Sequence, residues 1–299
     1  LCDQLEEEQE NNLETHETLV STLLNALTSA AADASQFADT WQRIQDNFDI
    51  LFTTESSVDQ LKQTILQLAV MGKLVPQDPE DEPGDELLKR ITASKIKSIN
   101  TGLLKRQKVL PPVSDDEKTY AIPENWVWTR LNDAFDIRDG THDSPQDAIG
   151  DNTYPLITSK DFKKGKINFE GSRRISSKDH FEICERSHVE VNDILFSMIG
   201  GNIGNQVIVE DPRPFSIKNV ALFKYYNSEL TSPRFLKIYS EELALKLQQK
   251  ASGGAQPFVS LGYLRKLPFV LPPLAEQHRI VSKVDELMTL CDQLKASLV

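Results

Sequence analysis

The five-residue word LCDQL occurs at residues 1–5 and again at residues 290–294. In each copy the cysteine and the last leucine are three residues apart, which places them on one face of a helix. The repeat therefore predicts that the chain begins and finishes in two equivalent helices. The chain would then span one structural repeat, from the middle of one helix to the middle of the next. Its first residue is Leu and not Met, which also predicts a piece of a longer chain. The alternative is a coincidence between two helix-friendly segments.

Amphipathic helices are predicted at both ends of the chain. Residues 1–27 and 37–53 each carry apolar side chains spaced three or four apart. Ser57 begins a capping-box pattern for a third helix, which we expect to end near Gly72. After Pro273 the apolar residues step alternately by four and three, as in a coiled coil. The predicted packing seam consists of Cys2, Leu5, Leu13, Val20, Ile280, Val284, Leu287, Cys291 and Leu294.

The middle of the chain is β-prone. Six short apolar runs, WVWTRL, YPLITS, DILFSMI, QVIVE, VALFKYY and PFVLP, are separated by turn-forming residues and by one helix. Proline-rich stretches at residues 76–86 and 109–126 predict linkers, with a weaker helix between them. We therefore predict an α+β fold, with a mixed globule carried on long antiparallel helices. Its predicted segments are a helical region at 1–110, the globule at 111–272 and a second helical region at 273–299.

The charge and cysteine content limit the classes of function less than they first suggest. The formal net charge is −12, but much of the acid lies in LEEEQE and DPEDEPGDE, and residues 121–270 are neutral overall. The net charge therefore does not exclude a nucleic-acid ligand. Three widely spaced cysteines suggest neither a disulfide framework nor a zinc site, and a reducing cytoplasm fits them best. Neither a signal peptide nor an apolar run long enough to cross a membrane is visible.

A catalytic constellation is not recognisable in the sequence. There is no phosphate-binding loop of the GxxxxGK[ST] type and no Asn/Asp-Pro-Pro-aromatic tetrapeptide of amino-methyltransferases. The five histidines are scattered, so we predict no metal ligands and no catalytic residues. The segment GGNIGNQ is glycine-rich, but a turn between two strands explains it better than a dinucleotide loop does.

Several segments resemble the specificity subunits of type I restriction–modification enzymes. They are LKQTILQLAVMGKLVPQDPEDEPGDELLKRI, IPENWVWTRL, DGTHDSP, NDILFSMIGGNIGNQVIV and GGAQPFVSLGYLRKLPFVLPPLAEQHRIVSKVDELMTLCDQL. The resemblance covers nearly the whole chain and is strongest in the helical segments. An intact family member has two target-recognition domains. This chain resembles the latter part of one conserved helical region, one recognition domain and the beginning of the next helical region.

The resemblance implies a non-catalytic subunit that reads one half of a bipartite DNA target. Its expected partners are double-stranded DNA, methyltransferase subunits docked on the helices, and a nuclease/translocase subunit in the larger complex. No cofactor is expected on this chain, since S-adenosylmethionine, ATP and Mg²⁺ would belong to the partners. It also implies that residues 1–27 pack antiparallel against residues 274–299. A homodimer that imitates the two-domain parent is a further expectation.

Four polar, glycine-containing loops supply the candidate DNA contacts, since Lys and Arg bind phosphates and polar side chains read base edges. The candidates are Arg138, Thr141, His142, Ser144, Lys160, Lys163, Lys164, Lys166, Arg173, Arg174, Lys178, Asn202, Asn205 and Gln256. The residues alone favour a solvated hairpin for the basic cluster between Lys160 and Lys178, and the resemblance reverses this preference in favour of DNA contacts. His142 could be a structural turn residue or a DNA contact.

Two alternative functions are left open by the residues. The chain could be the recognition part of a single-chain DNA methyltransferase, although the missing catalytic tetrapeptide speaks against this. It could also be a coiled-coil adaptor without a DNA role, in which case it would not bind duplex DNA even at low salt.

Overall fold

The computed structural model describes residues 2–200, 203–251 and 258–298. Its helices are α1 (Cys2–Ser29), α2 (Ala34–Asp46), α3 (Phe48–Leu51), α4 (Glu55–Val70), α5 (Gly84–Asn100), α6 (Leu131–Ala134), α7 (Ser177–Ser187), α8 (Pro233–Ala251), α9 (Leu261–Lys266) and α10 (Leu274–Ser297). Its strands are β1 (Val127–Arg130), β2 (Phe135–Asp139), β3 (Thr153–Ile157), β4 (Phe162–Lys163), β5 (Lys166–Ile167), β6 (Arg173–Ser176), β7 (Ile194–Ser197), β8 (Gln206–Ile208), β9 (Ser216–Ile217), β10 (Val220–Tyr225) and β11 (Pro268–Leu271). Single 3₁₀ turns lie at Ala30–Ala32, Asp115–Glu117 and Ser159–Asp161. The predicted α+β class is confirmed.

The chain divides into two compact units. The helical unit contains the residues up to Asp78, Tyr120–Pro123 and the residues from Arg279 onward. The globular unit contains Pro79–Thr119 and Glu124–His278, so it includes α5 together with all the strands. The three segment boundaries proposed from the sequence stay a prediction.

The helix boundaries of the helical unit follow from local capping. The sequence placed the capping box at Ser57, but the cap is Thr54, whose Oγ1 accepts a hydrogen bond from Ser57 N at 3.1 Å. Ser57 is the third residue of α4 and is fully buried. At the other end, Gly72 has φ +70°, and Lys73 N donates to Leu68 O, which closes the helix as expected.

The packing of α1 differs from the predicted pairing of residues 1–27 with residues 274–299. In the described residues α1 packs mainly against α4 and α2. The physical reason is that α4 buries nine residues, seven of them apolar, around much of its circumference, so it needs neighbours on several sides. Helix α10 is joined to α4 by ion pairs, Lys62 with Asp292 and Lys295 with Asp59.

The predicted seam is buried in part. Among its members Val20, Ile280, Val284 and Cys291 are buried, whereas Leu287 and Leu294 are half-buried. The prediction for Leu13 is wrong, since this residue is 54 % exposed. The side chains of Cys2 and Leu5 lie outside the described residues. The coiled-coil supertwist stays a prediction.

The globular unit is built on short, mostly antiparallel sheets. The largest has the order β2-β10-β7-β8, and its two central strands are almost completely buried. Strand β1 pairs with β11, and β3 lies between β6 (antiparallel) and β9 (parallel). All six predicted apolar runs form strands. The other five strands, β2, β4, β5, β6 and β9, are not among the predicted runs, because they are either rich in charged residues or only two residues long.

A two-stranded hairpin, β4–β5, presents the basic segment of the chain. Lys164 and Gly165 connect its strands with φ +50° and +75°. Positive φ at both positions is the geometry of a type I′ turn, which matches the twist of the flanking strands. The turn therefore exposes consecutive lysines at its tip.

Candidate functional site

The lysines of the basic segment are exposed, and most lack an ionic partner. Lys163, Lys164 and Lys166 lie in or beside the hairpin, Lys160 precedes it, and Lys178 lies in the first turn of α7. Among the described residues, Lys166 is the one member of this set with an ion pair, to Glu210 at 3.1 Å. Within the described part of the chain the other four ammonium groups have no ion pair, so their charge is available to a polyanion.

The two arginines of the same segment have structural partners. Arg173 Nε donates to Asp147 Oδ1 at 2.6 Å, and its Nη2 donates to Pro145 O at 2.8 Å. Arg174 donates from Nε to Thr153 Oγ1 and from Nη2 to the carbonyl oxygen of Thr153. Both guanidinium groups therefore tie β6 to neighbouring segments. Their use as phosphate contacts stays a prediction.

The loop that follows β2, residues 140–149, is fastened to residues 217–220, where β9 ends and β10 begins. We call it the clasped loop. Gly140 N donates to Val220 O, and Thr141 N donates to Ile217 O, each at 3.0 Å. A Cβ atom at Gly140 would lie 2.4 Å from Ile217 O, so only glycine permits this approach. The sequence motif DGT is thus explained by backbone contact.

Lys218 closes the clasp. Its Nζ donates to His142 O at 3.1 Å, to Ser144 Oγ at 2.8 Å and to the carbonyl oxygen of Asp143. The next residue, Asn219, has φ +56° and donates its backbone N–H to Thr141 O at 3.2 Å. Three acceptors on consecutive residues hold the loop in one conformation.

His142 bridges two groups of the clasp, which favours the structural alternative for this residue. Its Nε2 lies 2.9 Å from Asp139 Oδ2, and its Nδ1 lies 3.1 Å from Asn219 Oδ1. Asp139 is also paired with Arg186 of α7. About half of the His142 side chain is nevertheless exposed, so its ring edge is accessible from outside.

Two further candidates are held by the fold. Thr141 is buried, and its Oγ1 accepts a hydrogen bond from Asp143 N, so it is a structural residue of the loop. Arg138 lies within β2 and pairs with the buried Asp136 at 2.6 Å. The sequence assigned both to one loop because both belong to the polar segment RDGTHDSPQ, but strand β2 extends to Asp139, so Arg138 lies in the strand. Their contact with DNA stays a prediction.

The turn between β7 and β8 carries another candidate. Asn205 is exposed, and its carbonyl oxygen accepts from Ser197 N at 2.8 Å, which confirms the predicted turn. Phe258 forms a bridge to Ile199, which brings the segment after α8 beside this turn. Asn202 and Gln256 lie outside the described residues.

Sequence reasoning missed Lys218, Asn219 and Arg186, which organise the clasped loop. The signal for the first two was the polar pair KN between the apolar runs PFSI and VALFKYY. It also missed a buried ion pair, in which Lys224 Nζ donates to Asp193 Oδ2 at 2.7 Å. Burial raises the pKa of Asp193 to about 6, against the opposing effect of the lysine.

The described residues contain no cluster of His, Cys, Asp and Glu suited to a metal ion. Burial raises the pKa of the thiols of Cys184 and Cys291, so both are poor nucleophiles at neutral pH. Among the same residues, no helix combines the length and apolarity required to cross a bilayer. The features of the described residues that could bind a ligand are therefore the clasped loop and the lysines without ion pairs.

Comparisons with known proteins agree with a surface that binds a polyanion. The model of the type I restriction modification DNA specificity domain matches residues 123–298. The specificity subunits of the type I restriction enzymes EcoAI and EcoEI, both from Escherichia coli, are 39% and 35% identical to the chain over 99% and 100% of its length. The chain spans about half the length of these relatives, 50% and 51%.

A crystal structure of the HsdS subunit from Thermoanaerobacter tengcongensis aligns with 86% of this chain and 53% of its own, with 17% identity and a TM-score of 0.48. The family model covers more than half of the chain, including all the strands of the globular unit. The chain therefore belongs to the family of type I restriction modification DNA specificity domains.

Proposed function

We propose that the globular unit is a target-recognition domain that binds one half of a bipartite site in double-stranded DNA. The observation that carries the proposal is the set of exposed lysines without ion pairs, Lys160, Lys163, Lys164 and Lys178, within the segment that matches the family. An exposed ammonium group that has no ion pair within the described part of the chain is free to bind an external anion. Phosphate is the anion that the family would supply.

Two parts of the domain would share the work of recognition. The lysines would contact the phosphate backbone and set the position of the duplex, without reading sequence. The clasped loop and the turn at Asn205 would present polar groups to base edges. A fastened loop is suited to this task, because little conformational entropy is lost when it docks.

The partners follow from the family. We propose that the helices dock methyltransferase subunits and that a nuclease/translocase subunit joins the larger complex. The chain itself would carry no reaction, and S-adenosylmethionine, ATP and Mg²⁺ would bind to its partners. A cytoplasmic location is part of the same proposal. Association of two copies would provide two recognition domains, and sedimentation of the purified chain over a range of concentrations tests this.

The test compares DNA retention by the wild-type chain and a variant in which the four lysines are changed to Gln. A matched control changes Lys97, Lys105, Arg106 and Lys108 to Gln, which removes the same charge from another exposed segment of the globular unit. Retention is measured against salt concentration. The slope of log K, the DNA-binding constant, against log salt concentration is negative, and each lost phosphate contact reduces its magnitude by about 0.9. Loss of four contacts should therefore make the slope of the lysine variant less steep by up to about 3.6.

The outcomes separate the candidates. Equal slopes for the lysine variant and the control would contradict the assignment of the lysines. Absence of binding by the wild-type chain even at low salt would favour the coiled-coil adaptor. Methyl transfer by the isolated chain would establish the single-chain methyltransferase.

A further inference from the structure

The turn at residues 145–147 is held from both sides by one guanidinium group. Arg173 donates from Nη2 to Pro145 O and from Nε to Asp147 Oδ1, at 2.8 and 2.6 Å. Gln146 is the residue between these two acceptors. One residue later, Ala148 N donates to Arg174 O at 2.9 Å. The backbone at Gln146 is therefore fixed relative to β6.

The side chain of Gln146 is left free by these contacts. It is exposed, and its amide has no hydrogen-bond partner among the described residues. His142, Ser144 and Asp147 in the same loop are all engaged. An amide on a fixed backbone can form two hydrogen bonds to a ligand at the cost of ordering one side chain only.

Ile149, three residues further along the loop, is completely exposed at 101 %. It contributes nothing to the core of the domain, so the fold does not explain an isoleucine at this position. Asp143 is also exposed, but it faces a cleft of about 280 Å³ with Asp179 and Glu182. Three carboxylates and one guanidinium group, that of Arg186, line this cleft, so its excess of acid would repel a phosphate backbone. Gln146 and Ile149 are themselves uncharged, and Asp147 between them is paired with Arg173.

We infer that Gln146 is a specificity-determining residue that reads adenine in the major groove. The amide oxygen would accept from adenine N6 and the amide nitrogen would donate to N7, a pairing that suits Gln geometrically. Ile149 would contact the methyl group of a neighbouring thymine. The inference rests on the proposed function and names the bases that this loop selects, A·T pairs.

The test is selection of bound duplexes from a randomised pool by the purified full chain. The variants are Gln146→Ala, Gln146→Arg and Ile149→Ala, and the control is Gln63→Ala, an exposed glutamine of the helical unit. Wild type and control should enrich the same motif. Gln146→Ala should lose one adenine preference, by roughly 5-fold to 100-fold. Gln146→Arg should replace that adenine by guanine, and Ile149→Ala should weaken a thymine nearby.

The results distinguish this inference from the proposed function. If the wild-type chain enriches no motif, the proposed function fails and this inference fails with it. If wild type enriches a motif and both Gln146 variants enrich the same one with unchanged base preferences, only the role of Gln146 is overturned. Thermal melting of each variant identifies any variant that is unfolded. Gln146→Arg is expected to stay folded, because it keeps a long polar side chain at an exposed position.

Discussion

Arg130 and Glu117 form a two-point ion pair that fastens the segment before β1 to the sheet formed by β1 and β11. Arg130 Nη1 donates to Glu117 Oε1 at 2.6 Å, and Nη2 donates to Oε2 at 2.7 Å. The same guanidinium donates to the carbonyl oxygens of Pro111, Pro112 and Lys266. All five of its N–H groups are used, which is the full donor capacity of arginine.

Replacing Arg130 should therefore destabilise the globular unit. Arg130→Met leaves a carboxylate and three carbonyl oxygens without their donor, and we expect a loss of about 2 to 4 kcal/mol in the free energy of unfolding. Arg90→Met is the control, since Arg90 is exposed and pairs with Glu82 on the surface. It should cost under about 1 kcal/mol. Urea unfolding measures both, and equal losses would contradict the structural role.

The same pair predicts a pH dependence. Hydrogen bonds from Arg130, and then from Ser114, lower the pKa of Glu117 to about 2. A carboxyl whose folded pKa is depressed stabilises the fold above its unfolded pKa, and that contribution disappears as the pH falls through the folded value. The stability difference between wild type and Glu117→Gln should thus shrink between about pH 4.5 and pH 2. A difference independent of pH in urea titrations would contradict this.

The helical seam can be tested at two of its predicted members. Ile280 is fully buried, and Leu13 is 54 % exposed. Ile280→Ala should lower the free energy of unfolding by about 2 to 5 kcal/mol, because it removes buried methyl groups and leaves a cavity. Leu13→Ala should change it by under about 0.5 kcal/mol. Thermal and denaturant unfolding of the two variants provide the comparison, and a reversed order would refute the burial of the seam.

Lys218 should act on the clasped loop more than on overall stability. Lys218→Met removes the donor to His142 O, Asp143 O and Ser144 Oγ but keeps an aliphatic side chain. We expect amide hydrogen exchange in the loop to accelerate at least roughly tenfold, with little change in the melting temperature. Lys108→Met, at an exposed position, is the control. Unchanged exchange in the loop would mean that the backbone contacts of Gly140 suffice.

Local sequence patterns determined most of the secondary structure. Helical periodicity predicted the regions of α1, α2 and α4, because burial of one face sets the spacing of apolar residues. The six apolar runs became strands for the same reason, and Gly72 ended a helix through its positive φ. Family-specific segments also carried the resemblance that the comparisons confirm. All these signals depend on a few neighbouring residues or on a recognisable sequence motif.

Only the tertiary structure decided which charged residues are available to a ligand. Arg173 lies 26 residues from Asp147, and Lys218 lies 74 residues from Ser144, yet each pair is in contact. A basic cluster in the sequence could not reveal that its arginines are engaged while four of its lysines are not. The same holds for α1, whose main partner is α4. Neutralisation of a charge and coverage of an apolar face both depend on side chains brought together by folding, which local periodicity does not encode.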